Sequence, residues 1–131
     1  IGLKLVKISM DLAKKHYTED IAQRRGEKVR SKLLDFITEG PVVAMVIEGV
    51  NAIENVRKLV GSTESKSAAP GTIRGDYTHV SYKYADEKEI VVRNTSHASA
   101  DEKDAKYEVP LWFSKEELCD YERDSDRNII R

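Results

Sequence analysis

Apolar and polar residues at the start of the chain follow first a strand-like and then a helix-like period. Leu3 and Leu5 alternate with lysines and lead to Ile8, which is the two-residue period of a half-buried strand. Ser9 can then cap a helix. The apolar residues of that helix fall on one face, at Met10, Ala13 and Tyr17.

Residues 20–39 predict one further helix, with a charged first half and an apolar second half. Val29, Leu33 and Ile37 recur at helical spacing and predict that this half packs on something larger. The Gly-Pro pair at 40–41 ends the helix, because proline cannot continue it.

An uninterrupted apolar run over residues 42–47 predicts a central strand that is covered on at least one face. The next helix begins after Asn51, which can cap it, and ends at Gly61. A polar stretch follows and closes in residues 70–76, which we expect to form a glycine-flanked loop.

The last third of the chain predicts shorter elements. Residues 77–84 and 90–93 are β-rich, and the charged residues 85–89 between them predict a solvated turn. A short helix near 101–105 is expected to precede a strand over 109–113.

The final predicted element is a short helix with a capping box at residues 114–117. Strands and helices therefore alternate along residues 1–131. This pattern predicts a single domain of the α/β or α+β sandwich class, in which helices cover a small antiparallel sheet.

Composition narrows the class of protein. The chain has 22 lysines and arginines and 23 aspartates and glutamates, a net charge of −1, which argues against an extended nucleic-acid surface. The single cysteine, Cys119, excludes an intramolecular disulfide and suits a reducing compartment. No run approaches the roughly 18 apolar residues of a membrane span, and the first residues lack signal-peptide anatomy. We therefore expect a cytoplasmic protein.

His97 is the first candidate for chemistry. Its neighbours are small residues, which leave an imidazole reachable, and the ordinary histidine pKa of about 6.5 permits a neutral nucleophile. On position alone, a surface or structural role for a loop histidine is the alternative.

Arg57 and Arg74 are candidate anion ligands, because guanidinium groups bind phosphate oxygens with paired donors. Thr63 could add a hydroxyl donor, and Glu108 could hold the second ring nitrogen of His97. Taken singly, each could equally be a solvated surface residue.

Two other kinds of site are not indicated. No glycine-rich run ends in Gly-Lys-Ser/Thr, so a P-loop ATPase pocket has no anchor. The three histidines and Cys119 are too scattered along the chain to predict a metal site.

Several segments, in order, resemble the nucleoside diphosphate kinase family. Residues 40–46 (GPVVAMV) begin the match and residues 61–63 (GST) continue it. Residues 70–76 (PGTIRGD) are the most specific segment. Residues 94–99 (NTSHAS) resemble the family's active-site signature, and 111–113 (LWF) resemble the stretch after it.

The resemblance implies a ferredoxin-like βαββαβ core with an antiparallel sheet and covering helices. It implies ping-pong transfer of a γ-phosphoryl group from a nucleoside triphosphate to a nucleoside diphosphate. It also implies Mg²⁺ bound with the nucleotide phosphates, and homo-oligomers that are commonly hexamers.

The resemblance also implies roles for particular residues. His97 would be the phosphorylated nucleophile and Glu108 its orienting carboxylate. The implied nucleotide-binding residues are Tyr17, Val29, Leu33, Arg57, Thr63, Arg74 and Asn94. Among these, Val29 stands where family members place an aromatic that stacks on the base, and Asn94 would bind the ribose hydroxyl.

The chain departs from the family pattern at three places. The first strand, whose Lys-Pro-Asp segment supplies an active-site lysine, has no counterpart, and we expect that strand to be missing from the sequence rather than from the protein. Residues 79–90 mark an insertion before the active-site signature, and Ala100 replaces a usual acidic residue. These departures leave two hypotheses, an active kinase and a catalytically impaired nucleotide-binding or scaffold member.

Overall fold

The β-structure of the described residues is a two-stranded antiparallel sheet. The computed structural model describes residues 1–123 and residue 126. Strand β1 (Gly2–Lys7) pairs with β2 (Pro41–Val46), so that Leu3 faces Met45 and Leu5 faces Val43. These four side chains lie on the exposed face of the sheet, and the alternate positions are half-buried. Both strands were predicted, although in the described part of the chain β2 pairs with β1 alone rather than standing between two strands.

Three helices connect the two strands. Helix α1 (Met10–His16) begins at Ser9, whose Oγ accepts the Leu12 N–H at 3.2 Å as predicted. The prediction of one helix over 20–39 was wrong, because the chain forms α2 (Glu19–Arg25) and α3 (Glu27–Thr38). Gly26 separates them with a φ of +90°, a left-handed conformation that glycine adopts without a steric cost.

The chain after β2 is more helical than its sequence pattern indicates. Helix α4 (Ala52–Val60) has the predicted ends at Asn51 and Gly61, but the Asn51 side chain makes no capping hydrogen bond. The expected loop over 70–76 is instead the start of α5 (Ile73–Tyr77), because the Thr72 hydroxyl accepts the Gly75 N–H at 3.1 Å and caps it. A 3₁₀ turn, Ser65–Ser67, lies between these two helices.

Residues 77–93 correct a third prediction. The expected strand over 77–84 and the turn after it are replaced by α6 (Tyr82–Glu87), and residues 90–93 form no strand in the described chain. The hydroxyl of Ser81 caps α6 by accepting the Tyr84 N–H at 3.1 Å, and the helix buries Ala85. Capping and burial outweigh the β preference of the tyrosines.

A fourth correction concerns α7 (Glu102–Trp112), which continues through the expected strand over 109–113. Asp101 caps it by accepting the Asp104 N–H at 2.9 Å. Pro110 lies inside the helix, where it removes one backbone donor but does not end it. The predicted capping box is present in the 3₁₀ helix Lys115–Glu117 that follows.

The buried core lies where α1 and α3 pack together. Ile8, Ala13 and Leu34 are its buried centre. Partly buried residues surround it, namely Leu12, Tyr17, Ile37, Val42 and Trp112. The core therefore fixes the end of α1 next to the end of α7. Among the described residues, none of the helices has the length and apolar character needed to span a bilayer.

We expect Leu34→Ala to lower the free energy of unfolding by about 2–5 kcal/mol, because it leaves a cavity in the buried core. Leu59→Ala is the matched control, since Leu59 is 64% exposed on α4, and its effect should stay within about 0.5 kcal/mol. Urea unfolding followed by circular dichroism measures both values. Equal losses in the two variants would contradict this location of the core.

Candidate active site

His97 and Glu108 form a hydrogen-bonded pair. The two residues lie on the irregular segment 94–99 and on α7, and His97 Nε2 is 3.0 Å from Glu108 Oε1. The other carboxylate oxygen accepts a hydrogen bond from the Ser99 hydroxyl. The His97 side chain is half exposed, whereas that of Glu108 is largely buried. A reachable imidazole is thus held from one side by an enclosed carboxylate.

The charge state of Glu108 follows from its partners. Burial raises the pKa of its carboxyl group, but hydrogen bonds from His97 and Ser99 outweigh burial and bring the pKa below its ordinary value. Glu108 is therefore ionised at neutral pH and can only accept hydrogen bonds. The hydrogen of the 3.0 Å contact must then be on His97 Nε2. In the neutral form of the ring, Nδ1 then carries the lone pair, and in the described chain it makes no hydrogen bond.

Arg74 holds the segment that carries His97. Its buried guanidinium donates to the Ser96 carbonyl from Nε at 3.3 Å and from Nη2 at 2.9 Å. Nη1 donates to the Gly61 carbonyl at 3.0 Å, which joins the end of α4 to the same segment. Burial and the nearby charge of Arg57 both lower the pKa of Arg74, which nevertheless remains cationic at neutral pH.

Arg57 and Asn94 make further links to this segment. Arg57, exposed on α4, donates to the Ser99 carbonyl at 3.4 Å. The Asn94 amide donates to the Thr63 carbonyl at 2.9 Å, and its oxygen accepts the Ser65 hydroxyl at 2.9 Å. The loop after α4 and the segment before His97 are therefore tied together by side chains.

Tyr17 lies at the C-terminal end of α1, close to Glu108 and Arg74. Burial and the charge of Glu108 raise the pKa of its phenol, while Arg74 lowers it. Val29 and Leu33 lie four residues apart on α3, and both side chains are half-buried. From α3, Arg30 Nε donates to the Tyr17 carbonyl at 3.0 Å.

The structure thus brings seven of the sequence-predicted site residues into one neighbourhood. They are Tyr17, Arg57, Thr63, Arg74, Asn94, His97 and Glu108. Val29 and Leu33 are set apart on α3.

Sequence reasoning missed His16 and Trp112. His16 was taken as scattered from the other histidines, yet its ring centroid lies 4.7 Å from that of His97. Its Nδ1 accepts the Trp112 Nε1–H at 3.2 Å. Burial, followed by the proximity of His97, lowers the pKa of His16 to about 4. The signal in the sequence was the His-Tyr pair at residues 16–17, which resembles a pair in the nucleoside diphosphate kinase family.

Three side chains at this site, those of His16, His97 and Glu108, are possible metal ligands. One possible ligand atom from each of His16, His97 and Glu108 lies within 4.8 Å of the other two. The single lone pair of His16 Nδ1 already accepts the indole hydrogen, and His97 Nε2 carries a hydrogen. We assign no metal to this group, because two of its three atoms lack an available lone pair.

The fold and the site together define a class of protein. A reachable imidazole next to cationic guanidinium groups and hydroxyl donors suits the transfer of an anionic phosphoryl group. This arrangement on an α+β fold is the one that a phosphotransferase requires.

Comparison with known proteins gives the family. The family model described as "Nucleoside diphosphate kinase" matches residues 1–118, and the chain belongs to that family. A nucleoside diphosphate kinase of Borreliella burgdorferi is 48% identical over 132 residues, which cover 96% of this chain and 79% of the relative.

Solved structures agree in fold. A nucleoside diphosphate kinase from Borrelia burgdorferi, a transition-state mimic with bound vanadate and ADP, has a TM-score of 0.90 at 46% identity. The alignment covers 98% of this chain and 77% of that one. A halophilic enzyme from Halobacterium salinarum in complex with CDP has a TM-score of 0.79 at 37% identity, covering 98% and 77%. The predicted ferredoxin-like α+β class and the predicted nucleoside diphosphate kinase function are confirmed.

The low pKa of His16 gives a prediction for stability. The folded protein takes up this proton only near pH 4, whereas an unfolded histidine takes it up near pH 6.5, so acidification favours unfolding in this window. Between pH 7 and pH 5 the His16 contribution should fall by about 2 kcal/mol. His16→Gln should lose correspondingly less stability over the same interval.

Urea unfolding at the two pH values measures this difference. His79→Gln is the matched control, because His79 is exposed, and it should follow the wild-type protein. If His16→Gln and the wild-type protein lose stability equally, the neutral buried state of His16 is contradicted.

Proposed function

We propose that the kinase reaction runs through phosphorylated His97 in two half-reactions. In the first, the lone pair of Nδ1 attacks the γ-phosphorus of a nucleoside triphosphate. The N–P bond forms, the bond to the β-γ bridging oxygen breaks, and the nucleoside diphosphate leaves with that electron pair. In the second, a terminal β-phosphate oxygen of another nucleoside diphosphate attacks the phosphorus and releases Nδ1.

The observation that carries this proposal is the hydrogen bond from His97 Nε2 to Glu108 Oε1, at 3.0 Å. It leaves Nδ1 as the nucleophilic nitrogen. When the N–P bond forms, the ring gains positive charge while its Nε2–H stays in place. The ionised Glu108 carboxylate stabilises that charge and orients the ring.

Cationic and hydroxyl donors supply the remaining requirement of phosphoryl transfer. Arg74 commits three of its five N–H donors to the Ser96 and Gly61 carbonyls, which leaves two for phosphate oxygens. Exposed Arg57 and the hydroxyls of Thr63 and Tyr17 complete the proposed phosphate site.

The ribose and the base of the nucleoside are assigned to two further sets of residues. Asn94 retains one amide hydrogen and one lone pair beyond its bonds to Thr63 and Ser65, and we assign these to the ribose hydroxyl. The base is assigned to α3, through the half-buried side chains of Val29 and Leu33.

The donor set near the proposed phosphate site fits a metal that arrives with the nucleotide. Glu108 is the carboxylate of this group, and its oxygens are engaged by His97 and Ser99. The arginines repel a divalent cation. We therefore assign the inner ligands of Mg²⁺ to the nucleotide phosphates and to water rather than to protein carboxylates. When bound, this ion would neutralise phosphate charge.

The remaining assignments follow from the chain as a whole. We propose a single domain over residues 1–131, with residues 79–90 as an insertion and with nucleoside di- and triphosphates as substrates. The net charge of −1 gives no support for nucleic acid as a partner. A cytoplasmic location is supported by the free, exposed Cys119, because exposed thiols persist in reducing compartments.

Incubation of the full chain with a γ-labelled nucleoside triphosphate and Mg²⁺ should label the protein. The label should be acid-labile, as N-phosphohistidine is, and it should pass to an added nucleoside diphosphate. His97→Ala should reduce labelling on the order of 10³-fold or more, because it removes the attacking nitrogen.

His79→Ala is the matched control, since it removes another exposed histidine, and it should label like the wild-type protein. Nucleotide binding without any label would instead support the catalytically impaired, scaffold alternative. Full labelling of His97→Ala would exclude His97 as the nucleophile.

We also propose that the protein assembles as a homo-oligomer, with a hexamer favoured by family membership. Light scattering coupled to size-exclusion chromatography should give the mass of six chains. A mass that stays at one chain across micromolar concentrations would contradict this proposal.

A further inference from the structure

His16 is an enclosed ring beside the proposed nucleophile, and the mechanism above does not use it. Its side chain is 3% exposed. The rings of Tyr17 and His97 each lie 4.7 Å from it in edge-to-face orientation, and that of Trp112 lies at 5.5 Å. The Trp112 indole donates to its Nδ1 at 3.2 Å.

The two histidines approach the same carboxylate oxygen. Glu108 Oε1 is 3.0 Å from His97 Nε2 and 3.7 Å from His16 Nδ1. A proton on His16 Nδ1 would therefore create a cationic competitor for the partner of His97. The indole hydrogen occupies the only lone pair of Nδ1, so a proton can bind there only if the Trp112 bond breaks.

We propose that Trp112 and His16 are positioning residues for the reaction of His97. The indole hydrogen bond keeps His16 from bonding to Glu108, and Glu108 is thereby reserved for His97. The His16 ring also packs against the His97 ring in edge-to-face orientation and restricts its rotation. This inference rests on the proposed function, because it assigns these residues to the nucleophile named there.

The charged groups around His16 explain why the hydrogen bond from Trp112 matters for the protonation of His16. From α7, Glu108 and Asp104 both favour a proton on His16. His97 opposes one, as does burial, and the neighbouring phenol of Tyr17 remains protonated because its own pKa is raised. With the indole donor removed, Nδ1 is free to accept a proton that the two carboxylates stabilise.

Trp112→Phe tests the inference, because phenylalanine keeps an aromatic ring but has no N–H. His97 labelling by a γ-labelled nucleoside triphosphate is measured from pH 5 to pH 9, with each variant normalised to its own rate at pH 8. The acid limb of Trp112→Phe should move up by about one pH unit, so that its normalised rate at pH 5 falls to roughly half that of the wild-type protein.

The double variant His16→Phe with Trp112→Phe is the matched control. It retains the indole deletion but has no competing imidazole, so its acid limb should return to the wild-type position. Loss of packing alone would lower the rate by the same factor at every pH. That uniform loss, or a limb that stays shifted in the double variant, would overturn the inference.

A measurement on the unmodified protein serves if either variant fails to fold. Imidazole ¹⁵N shifts should place the hydrogen of His16 on Nε2 and leave Nδ1 unprotonated at pH 6. A hydrogen on Nδ1 would overturn the inference regardless of catalysis. If the wild-type protein takes no label on His97, the proposed function fails while this tautomer remains independently measurable.

Discussion

The arrangement of the site depends on one enclosed carboxylate, that of Glu108. An ionised carboxylate that leaves water loses several kcal/mol of hydration unless donors replace it. Here His97 and Ser99 donate to its two oxygens, and their bonds outweigh burial in setting its pKa. The hydrogen bond from His97 therefore offsets part of the free-energy cost of burying Glu108. His97 and Glu108 stabilise each other in place.

The helical form of α7 is what lets Glu108 and Trp112 act on neighbouring rings. Residues four apart stand about 6 Å apart along a helix axis but about 14 Å apart along a strand. In the strand expected over 109–113, Trp112 would lie too far from Glu108 for both to reach His16. Because α7 continues past Pro110, the indole and the carboxylate meet the same imidazole from one helix face.

The sequence was most informative where an element satisfies itself locally. The strand β1, the Ser9 cap and the ends of α4 at Asn51 and Gly61 are local signals, and each was found, although Leu3 and Leu5 lie on the exposed face of the sheet. The predicted strands within 77–93 and 109–113 failed, because the tyrosines and apolar residues there resemble strands while caps at Ser81 and Asp101 begin helices. Propensity at those positions is weaker than capping and burial.

Spatial contacts between distant residues were beyond sequence reasoning. Trp112 and His16 are 96 positions apart, so no spacing rule connects them. The motif at 70–76 was found, but its reason is visible only in three dimensions. A Cβ on Gly75 would stand 2.1 Å from the Ala69 carbonyl oxygen, so glycine is required where α5 packs against the preceding loop. That close packing places the buried Arg74 guanidinium on the Ser96 and Gly61 carbonyls.

Glu108 and His16 have depressed pKa values, with opposite consequences for charge. The low pKa of Glu108 keeps a negative charge at the site, and the pKa of about 4 for His16 keeps a positive charge away from it. Across neutral pH the pair therefore presents one carboxylate and no competing cation. In the proposed reaction, formation of an N–P bond on His97 is then the event that changes the local charge. The fixed negative charge of Glu108 stabilises the charged ring that this step produces.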